Sequence, residues 1–412
     1  MASIQRPKGT QDILNNDMEQ WQHIEALFAS TCRQFNFQEV RTPIFESTDL
    51  FKRGVGDTTD IVNKEMYSFE KGERNLTLRP EGTAGVVRAF NEHGMNRSPK
   101  PVKWYYTGPM FRYERPQAGR QRQFHQAGVE LFGSSNPSAD VEVIQLAMRF
   151  FKRCGLNNLS LEINNIGTSA DREAFRQSLR EALTPLKESL CTTCQSRLTE
   201  NPFRMLDCKN DNCQTHYNQP DIQALLQTEW TNEESQTQFS QVLELLDGLN
   251  IPYTRNPKLV RGLDYYNNTV FEIMAEGLGA KNTVCGGGRY DSLVKTLGGE
   301  DTPAVGWALG MERLLSLTTL QAPPSDFYYI TCESHNQALN ALQLAQHLQA
   351  AYPNARIEMD HSYRKLKKQL DVAHKKGASH ALLSDFDQPD KWQIKNLATG
   401  EQSLFESAPL ST

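Results

Sequence analysis

No run in this 412-residue sequence approaches the about 20 consecutive apolar residues of a membrane-crossing helix. The opening residues Met1-Ala2-Ser3-Ile4-Gln5-Arg6 lack the pattern of a secretory signal, so the cytoplasm is the expected compartment. An excess of positive charge is missing too. Lys and Arg number 44 against 49 Asp and Glu, for a net charge of −5. The whole surface therefore does not attract polyanions, and any nucleic-acid contact must come from local basic patches. Both common nucleotide loops are absent: there is no phosphate loop ending in Gly-Lys-Ser/Thr and no usable Gly-x-Gly-x-x-Gly after a strand. Bound phosphates must then be held by arginines on a sheet. The eight cysteines are mostly scattered and do not form a secreted disulfide framework. Repeats and low-complexity tracts are lacking as well.

Among the features present, the stretch Trp104–Gly133 is the most informative. It reads as two strands joined by a basic loop containing Gly and Pro. Alternation places Met110, Arg112 and Glu114 on one face, and Gln126, Gly128 and Glu130 on one face of the second strand. An arginine, an amide and a carboxylate converging beside apolar anchors suit a small charged ligand with a phosphate; a solvated face of an edge hairpin is the alternative. The turn Leu78-Arg-Pro-Glu81-Gly-Thr83-Ala-Gly85 offers a carboxylate and a hydroxyl that either grip an ammonium group or cap the helix that follows. In Leu259-Val-Arg261-Gly-Leu-Asp264-Tyr265-Tyr266, an arginine beside an apolar stretch needs an anion, either Asp264 or a ligand. Cys285-Gly-Gly-Gly-Arg289-Tyr290-Asp291 lets the backbone approach a ligand closely. Ala304–Leu315 reads as a strand running through glycines into a helix whose first turn holds Arg313, where the helix dipole opposes its charge unless an anion is near.

The length supports two or three domains. Residues 1–320 form one, interrupted at about 167–235 by a polar, cysteine-containing insertion. Within it, Cys191-x2-Cys194 and Cys208-x4-Cys213, with His216 close behind, either make a structural zinc site or are ordinary residues of the subdomain. A helix after Ser138 and Asp140 carries Val143, Leu146, Ala147, Phe150 and Phe151 and stops at Gly155. Gln321-Ala-Pro-Pro-Ser325 is a linker, and residues 326–412 form a small α/β domain with a mostly parallel sheet. Its strands are expected at Phe327–Thr331, Arg356–Met359 and Ala381–Leu383. Its helices are a Ser334-capped one through Leu348 and a basic one at 363–376. The basic helix, with Arg364, Lys365, Lys367, Lys368, Lys375 and Lys376, either positions RNA through phosphates or is a solvated face.

Taken in this order, the segments resemble the histidyl-tRNA synthetase family, of class II aminoacyl-tRNA synthetases, over essentially the full chain. The 104–133 hairpin is similar to class II motif 2 and Ala304–Leu315 to motif 3. Arg41-Thr-Pro43-Ile44 is similar to the dimer-forming motif 1, and Leu259–Tyr266 and Gly287–Asp291 to the two signatures of the histidine enzyme. The resemblance implies an α+β catalytic domain with an antiparallel sheet, and a C-terminal α/β anticodon-binding domain. It implies a homodimer acting on histidine, on ATP with Mg2+ and on tRNA-His. Glu81, Thr83 and Gln126 would bind the α-amino group; Glu130 and Tyr266, beside Tyr265, would read the imidazole. Arg112 and Arg313 would clamp the α- and γ-phosphates, Glu114 would order ATP, and Arg261 would face the α-phosphate and carboxylate. Gln117, Arg120 and Arg122 would meet the tRNA acceptor end, with Lys367 and Lys368 on the basic helix. A catalytically inactive, histidine-sensing regulatory paralogue of histidine biosynthesis is the alternative. Such relatives typically lack the C-terminal domain and the arginines.

Overall fold

The computed structural model describes residues 3–57, 59–117, 120–206, 208–228, 230–275, 283–384 and 391–405. The chain divides into two compact units, Met1–Gln321 and Ala322–Thr412.

The first unit opens with α1 (Asn15–Gln34), whose Trp21, Ile24, Phe28 and Cys32 recur at helical spacing and are all buried. β1 (Gln38–Glu39) follows. A small sheet is then made from β2 (Phe45–Ser47), β3 (Tyr67–Lys71) and β4 (Arg74–Leu78) in the order β2-β4-β3, with α2 (Thr48–Val55) between β2 and β3. After α3 (Thr83–Glu92) come the long hairpin strands β5 (Val102–Phe111) and β6 (Gln123–Phe132), then α4 (Pro137–Arg153) and β7 (Leu159–Asn165). The insertion is helical: α5 (Ser169–Leu183), α6 (Thr192–Glu200), α7 (Asp211–Tyr217) and α8 (Pro220–Gln227). The main unit resumes with α9 (Glu233–Gly248), β8 (Tyr253–Arg255), β9 (Asn267–Ala275), β10 (Thr283–Arg289), α10 (Leu293–Thr296), β11 (Ala304–Gly310) and α11 (Met311–Leu315).

Among the described residues the large sheet has eight strands in the order β1-β5-β6-β11-β10-β9-β7-β8. Its interior pairings are antiparallel, as expected for class II; only the edge pairs β1–β5 and β7–β8 are parallel. One face carries Val129, Leu131, Val305, Trp307, Leu309, Phe271 and Ile273, which pack with α1, α4 and α9 into the main core. Trp307 is wholly buried there and its indole N–H donates to Val143 O at 2.8 Å. The opposite face is left for the site.

Three helix readings shift, one of them the basic helix, which runs Leu366–Lys375 and leaves Arg364 and Lys365 ahead of it. Pro137 is the first residue of α4, so Ser138 and Asp140 lie inside its first turn rather than before it. Ser334 makes no side-chain cap; it precedes a 3-10 turn (His335–Gln337), and the helix proper, α12, is Ala338–Ala351. The second unit otherwise contains β12 (Phe327–Ile330), β13 (Arg356–Met359), α13 (Leu366–Lys375) and β14 (His380–Ser384). A hairpin absent from the sequence reading follows: β15 (Trp392–Asn396) and β16 (Gln402–Phe405). The sheet order is β13-β12-β14-β15-β16, parallel over the first three strands and antiparallel over the last two. Those two strands are short and β16 is mostly exposed, so neither prints a clear apolar alternation.

Candidate active site

Cross-strand register sets the floor of the site. Glu130 lies opposite Gly306, which lies opposite Gly288. One step along, Gly128 is opposite Ala308, Ala308 opposite Gly286, and Gly286 opposite Glu272. Gln126 faces Gly310. Paired residues share a face, so this side of the sheet is a run of glycines crossed by Gln126, Glu130 and Glu272, with Tyr106 of β5 lying over Gly128. Four of these glycines, Gly128, Gly286, Gly288 and Gly306, are enforced by contact. A Cβ on Gly306 would stand 1.9 Å from Glu130 Oε2, and one on Gly286 would stand 2.1 Å from Arg261 Nη2.

A polar cluster forms over this floor. Glu130, 1% exposed, accepts from Thr83 Oγ1 at 2.8 Å and from the Tyr290 hydroxyl. Burial pushes its carboxyl up to about 8, against the lowering effect of those two donors. Glu81 accepts from the backbone N–H groups of Thr83 and Ala84, both at 2.8 Å, and burial raises its carboxyl too. The helix-cap alternative for this turn is therefore what its hydrogen bonds show in the ligand-free chain. Gln126 joins the same turn by accepting from Gly82 N–H at 3.2 Å. Tyr265 and Tyr266 pack ring against ring at 4.6 Å, and Tyr265 meets Tyr290 at 5.7 Å; burial pushes Tyr266 up to about 12.

The arginines rim this cluster. Arg112 lies just past the end of β5 rather than within it, with its Nε donating to Pro80 O at 2.8 Å and its guanidinium 5.2 Å from the Phe124 ring centre. Glu114 is 3.9 Å from Arg112 and 3.2 Å from Arg120. Arg261 pairs with Glu272, not with Asp264, and lies over the Tyr266 ring at 5.9 Å. The sequence reading missed Glu272 because it arrives from β9, eleven residues on, through sheet register alone. Arg313 sits in a helix of only five residues, so the dipole argument carries little there; burial lowers its pKa, with Arg120 nearby adding to the effect. Arg289, despite its glycine-rich setting, points away from the site. It is buried against Asp140 of α4 and donates to Ser134 O and Asn136 O, both at 3.0 Å. Tyr290, the next residue, turns to the site and donates its hydroxyl to Glu130, a partnership that no local signal in the sequence marks.

Of the residues expected to meet RNA, Gln117 and Arg120 exchange backbone hydrogen bonds at the hairpin loop, whose Ala118 and Gly119 lie outside the described residues. Arg120 is exposed. Arg122 stacks on Tyr113 at 4.0 Å and donates to Glu114 O. In the second unit Lys367 and Lys368 are exposed on α13.

The insertion brings its own groups to the loop 259–266. Arg172 donates to Tyr266 O and, at 3.4 Å, to Asp264 O; Asn201 Nδ2 donates to Asp264 Oδ1 at 3.3 Å. Further inside it, the sulfurs of Cys191, Cys194, Cys208 and Cys213 all lie within 4.8 Å of one another. His216 is not part of that cluster; its Nδ1 is 3.4 Å from Gln219 Nε2.

Three comparisons bear on this arrangement. The family model described as histidyl-tRNA synthetase matches residues 9–314. A curated protein of Listeria innocua named histidine–tRNA ligase is 47% identical over 99% of this chain and 97% of its own length. Histidine–tRNA ligase 1 of Shouchella clausii is also 47% identical, over 100% of this chain and 97% of its own. The crystal structure of apo Staphylococcus aureus histidyl-tRNA synthetase superposes with a TM-score of 0.78 at 38% identity, covering 98% of this chain and 97% of that one.

Proposed function

The chain belongs to the histidyl-tRNA synthetase family, and from that premise we propose how it joins histidine to tRNA-His. It is a class II ligase. Histidine and ATP form histidyl-adenylate and pyrophosphate, and the histidyl group then passes to the 3′ end of the tRNA. ATP enters as its magnesium complex and is part of the substrate.

The observation that carries the residue assignments is Glu130, buried on a glycine floor with Thr83 and Tyr290 as donors and bordered by Arg112 and Arg261. A carboxylate and a phenol hold the two ring nitrogens of an imidazole, so Glu130 and Tyr266, beside Tyr265, read the side chain. Polar pairing of this kind rejects analogues lacking the ring nitrogens by roughly 10⁴-fold, without editing. Glu81, Thr83 and Gln126 receive the α-ammonium. Each has an acceptor at the turn, and a bound ammonium adds donors that offset the burial of Glu81. The carboxylate of histidine is already ionised near neutral pH and attacks the α-phosphorus; pyrophosphate leaves. Negative charge grows on the α-phosphate as it does so. Arg112 and Arg261, fixed by Pro80 O and Glu272, stabilise that charge without reorganising. Arg313 takes the γ-phosphate and Glu114 orders the ATP end. Gln117, Arg120 and Arg122 meet the acceptor strand, and Lys367 and Lys368 contact tRNA phosphates.

A homodimer is part of the reading. Ile44, Phe45 and Phe69 are 45%, 53% and 44% exposed around the small sheet, next to the motif-1-like Arg41–Ile44, and a second copy would cover them. No helix among the described residues is long and apolar enough to cross a membrane, and a cytoplasmic place is proposed. A structural zinc on Cys191, Cys194, Cys208 and Cys213 also belongs here. The retained Arg112, Arg261 and Arg313 and the basic C-terminal unit argue against a histidine-sensing regulatory subunit.

Histidine-dependent ATP–pyrophosphate exchange with magnesium, the other amino acids serving as controls, tests the reading; well-folded protein without exchange would sink it. Arg261→His should fold normally yet slow adenylate formation by about 10²–10³-fold. Near wild-type rates would remove Arg261 from the mechanism.

A further inference from the structure

The four cysteines of the insertion come from the beginnings of two helices. Cys191 is the residue before α6 and Cys194 lies in its first turn; Cys208 precedes α7 and Cys213 lies in its first turn. The Cys191 and Cys208 sulfurs are 3.8 Å apart. Four sulfurs each about 2.3 Å from one ion stand about 3.8 Å apart along every edge of the tetrahedron. A disulfide requires about 2.05 Å, and all four thiols are free. One edge thus matches that tetrahedron and the others lie within 4.8 Å, so the four sulfurs converge on one point that an ion can fill. Backbone donors already serve the sulfurs: Cys191 N–H points at Cys213 Sγ at 3.2 Å and Asn210 N–H at Cys208 Sγ at 3.4 Å. Tetrahedral all-thiolate sets select zinc or iron among biological metals.

The cage is embedded in the small core that holds the insertion together. Cys194 and Cys213 pack with Leu190, Leu198, Phe203, Met205, Tyr217 and their neighbours, and Val260 of the histidine loop packs against the same core. A core of this size is marginal without a staple. Its outer surface carries Arg172 and Asn201, which hold the backbone and side chain of Asp264 and the backbone of Tyr266. Asp60 of the main unit is met by Arg197 at 3.1 Å and Arg204 at 3.6 Å. The insertion therefore grips the loop that presents Tyr265 and Tyr266 from behind.

We propose that a zinc ion bound by Cys191, Cys194, Cys208 and Cys213 fixes the insertion in the form whose Arg172 and Asn201 clamp the 259–266 loop, so that metal occupancy sets histidine affinity. The link to histidine rests on the ligase reading above; the metal site does not. Arg172 and Asn201 are positioning residues and touch no substrate.

The test uses full-length protein. Elemental analysis should find one zinc per chain. Replacing it with Co2+ alone should give a tetrahedral thiolate spectrum, and Cys208→Ser should abolish both signals. Histidine affinity is read by equilibrium dialysis as well as by KM in pyrophosphate exchange, so inactive protein does not obscure the result. Cys208→Ser and Arg172→Ala should each raise the histidine constant about tenfold, one hydrogen bond's worth, with the ATP KM within about twofold. Arg172→Lys, which keeps one donor, should restore most of the affinity. If Cys208→Ser misfolds, the Arg172→Ala and Arg172→Lys pair in zinc-loaded protein decides. Protein that contains no zinc and takes up none from Zn2+ alone, or that binds iron instead, overturns the site. Zinc present, with histidine affinity unmoved in folded Cys208→Ser and in Arg172→Ala, overturns the clamp alone. Normal metal content without exchange or histidine binding overturns the ligase reading and leaves the zinc site standing.

Discussion

Glu130 holds two donors before any substrate arrives, and its burial sets a testable sign. A carboxyl whose folded pKa is raised to about 8, above the ordinary value of about 4.3, favours the fold in its protonated form. That contribution is complete below the ordinary carboxyl pKa and is lost as pH rises through about 8. Ligand-free protein should therefore lose thermal stability between about pH 4.3 and 8, and Glu130→Gln should flatten the loss; equal slopes in melting scans would show that Glu130 is already ionised. The same variant should raise the histidine KM by about 10²-fold or more, because a carboxamide leaves one imaging partner of the ring nitrogens wrongly matched. Gly286→Ala makes a second claim at this scale. Its Cβ would overlap the Arg261 guanidinium, so the arginine must leave Glu272 and, with it, the place proposed for it at the α-phosphate. Adenylate formation should fall by about 10²-fold while the fold survives, and a rate near wild type would mean that Arg261 has room to act elsewhere. The triple glycine was legible in the sequence as a place of close approach, but not what approached. That partner comes from a loop some 25 residues earlier.

At the scale of elements, β5 and β6 were readable because alternation and a polar loop are local signals, and the pairing of β6 with β11 puts Gln126 and Glu130 on one face of the sheet. The insertion was readable only as a change of texture. Its helices are short, and their order depends on a shared core and on four cysteines separated in the chain. The β15–β16 hairpin was missed for want of buried alternation. Arg289, which the sequence offered only as part of a family-like segment, bolts β10 to α4 through Asp140. Removing one partner of a buried ion pair costs about 3–5 kcal/mol. Arg289→Ala should lose that much in urea unfolding while the ATP KM stays within about threefold, small beside the 1.4 kcal/mol that each tenfold represents. A large ATP effect in folded protein would mean that the Arg289–Asp140 pair also shapes the phosphate site.

The whole molecule separates at Gln321 into two compact units. A chain ending there should retain histidine-dependent pyrophosphate exchange and lose most tRNA charging, since the exposed lysines of α13 go with the second unit; loss of both activities would show that the first unit does not stand alone. The family was legible across this whole length because its motifs are spread over both sides of the insertion, whereas the wiring between them, Arg261 to Glu272 or Arg172 to Tyr266, exists only once the sheet and insertion have formed. The glycine floor also limits what redesign can reach. The room that each glycine leaves is already taken by another side chain, Glu130 at Gly306, Arg261 at Gly286 and Tyr106 at Gly128. Space for a bulkier amino acid would have to come from those side chains or from Tyr265, Tyr266 and Tyr290, and under the proposed assignments those changes would also disturb the contacts to histidine.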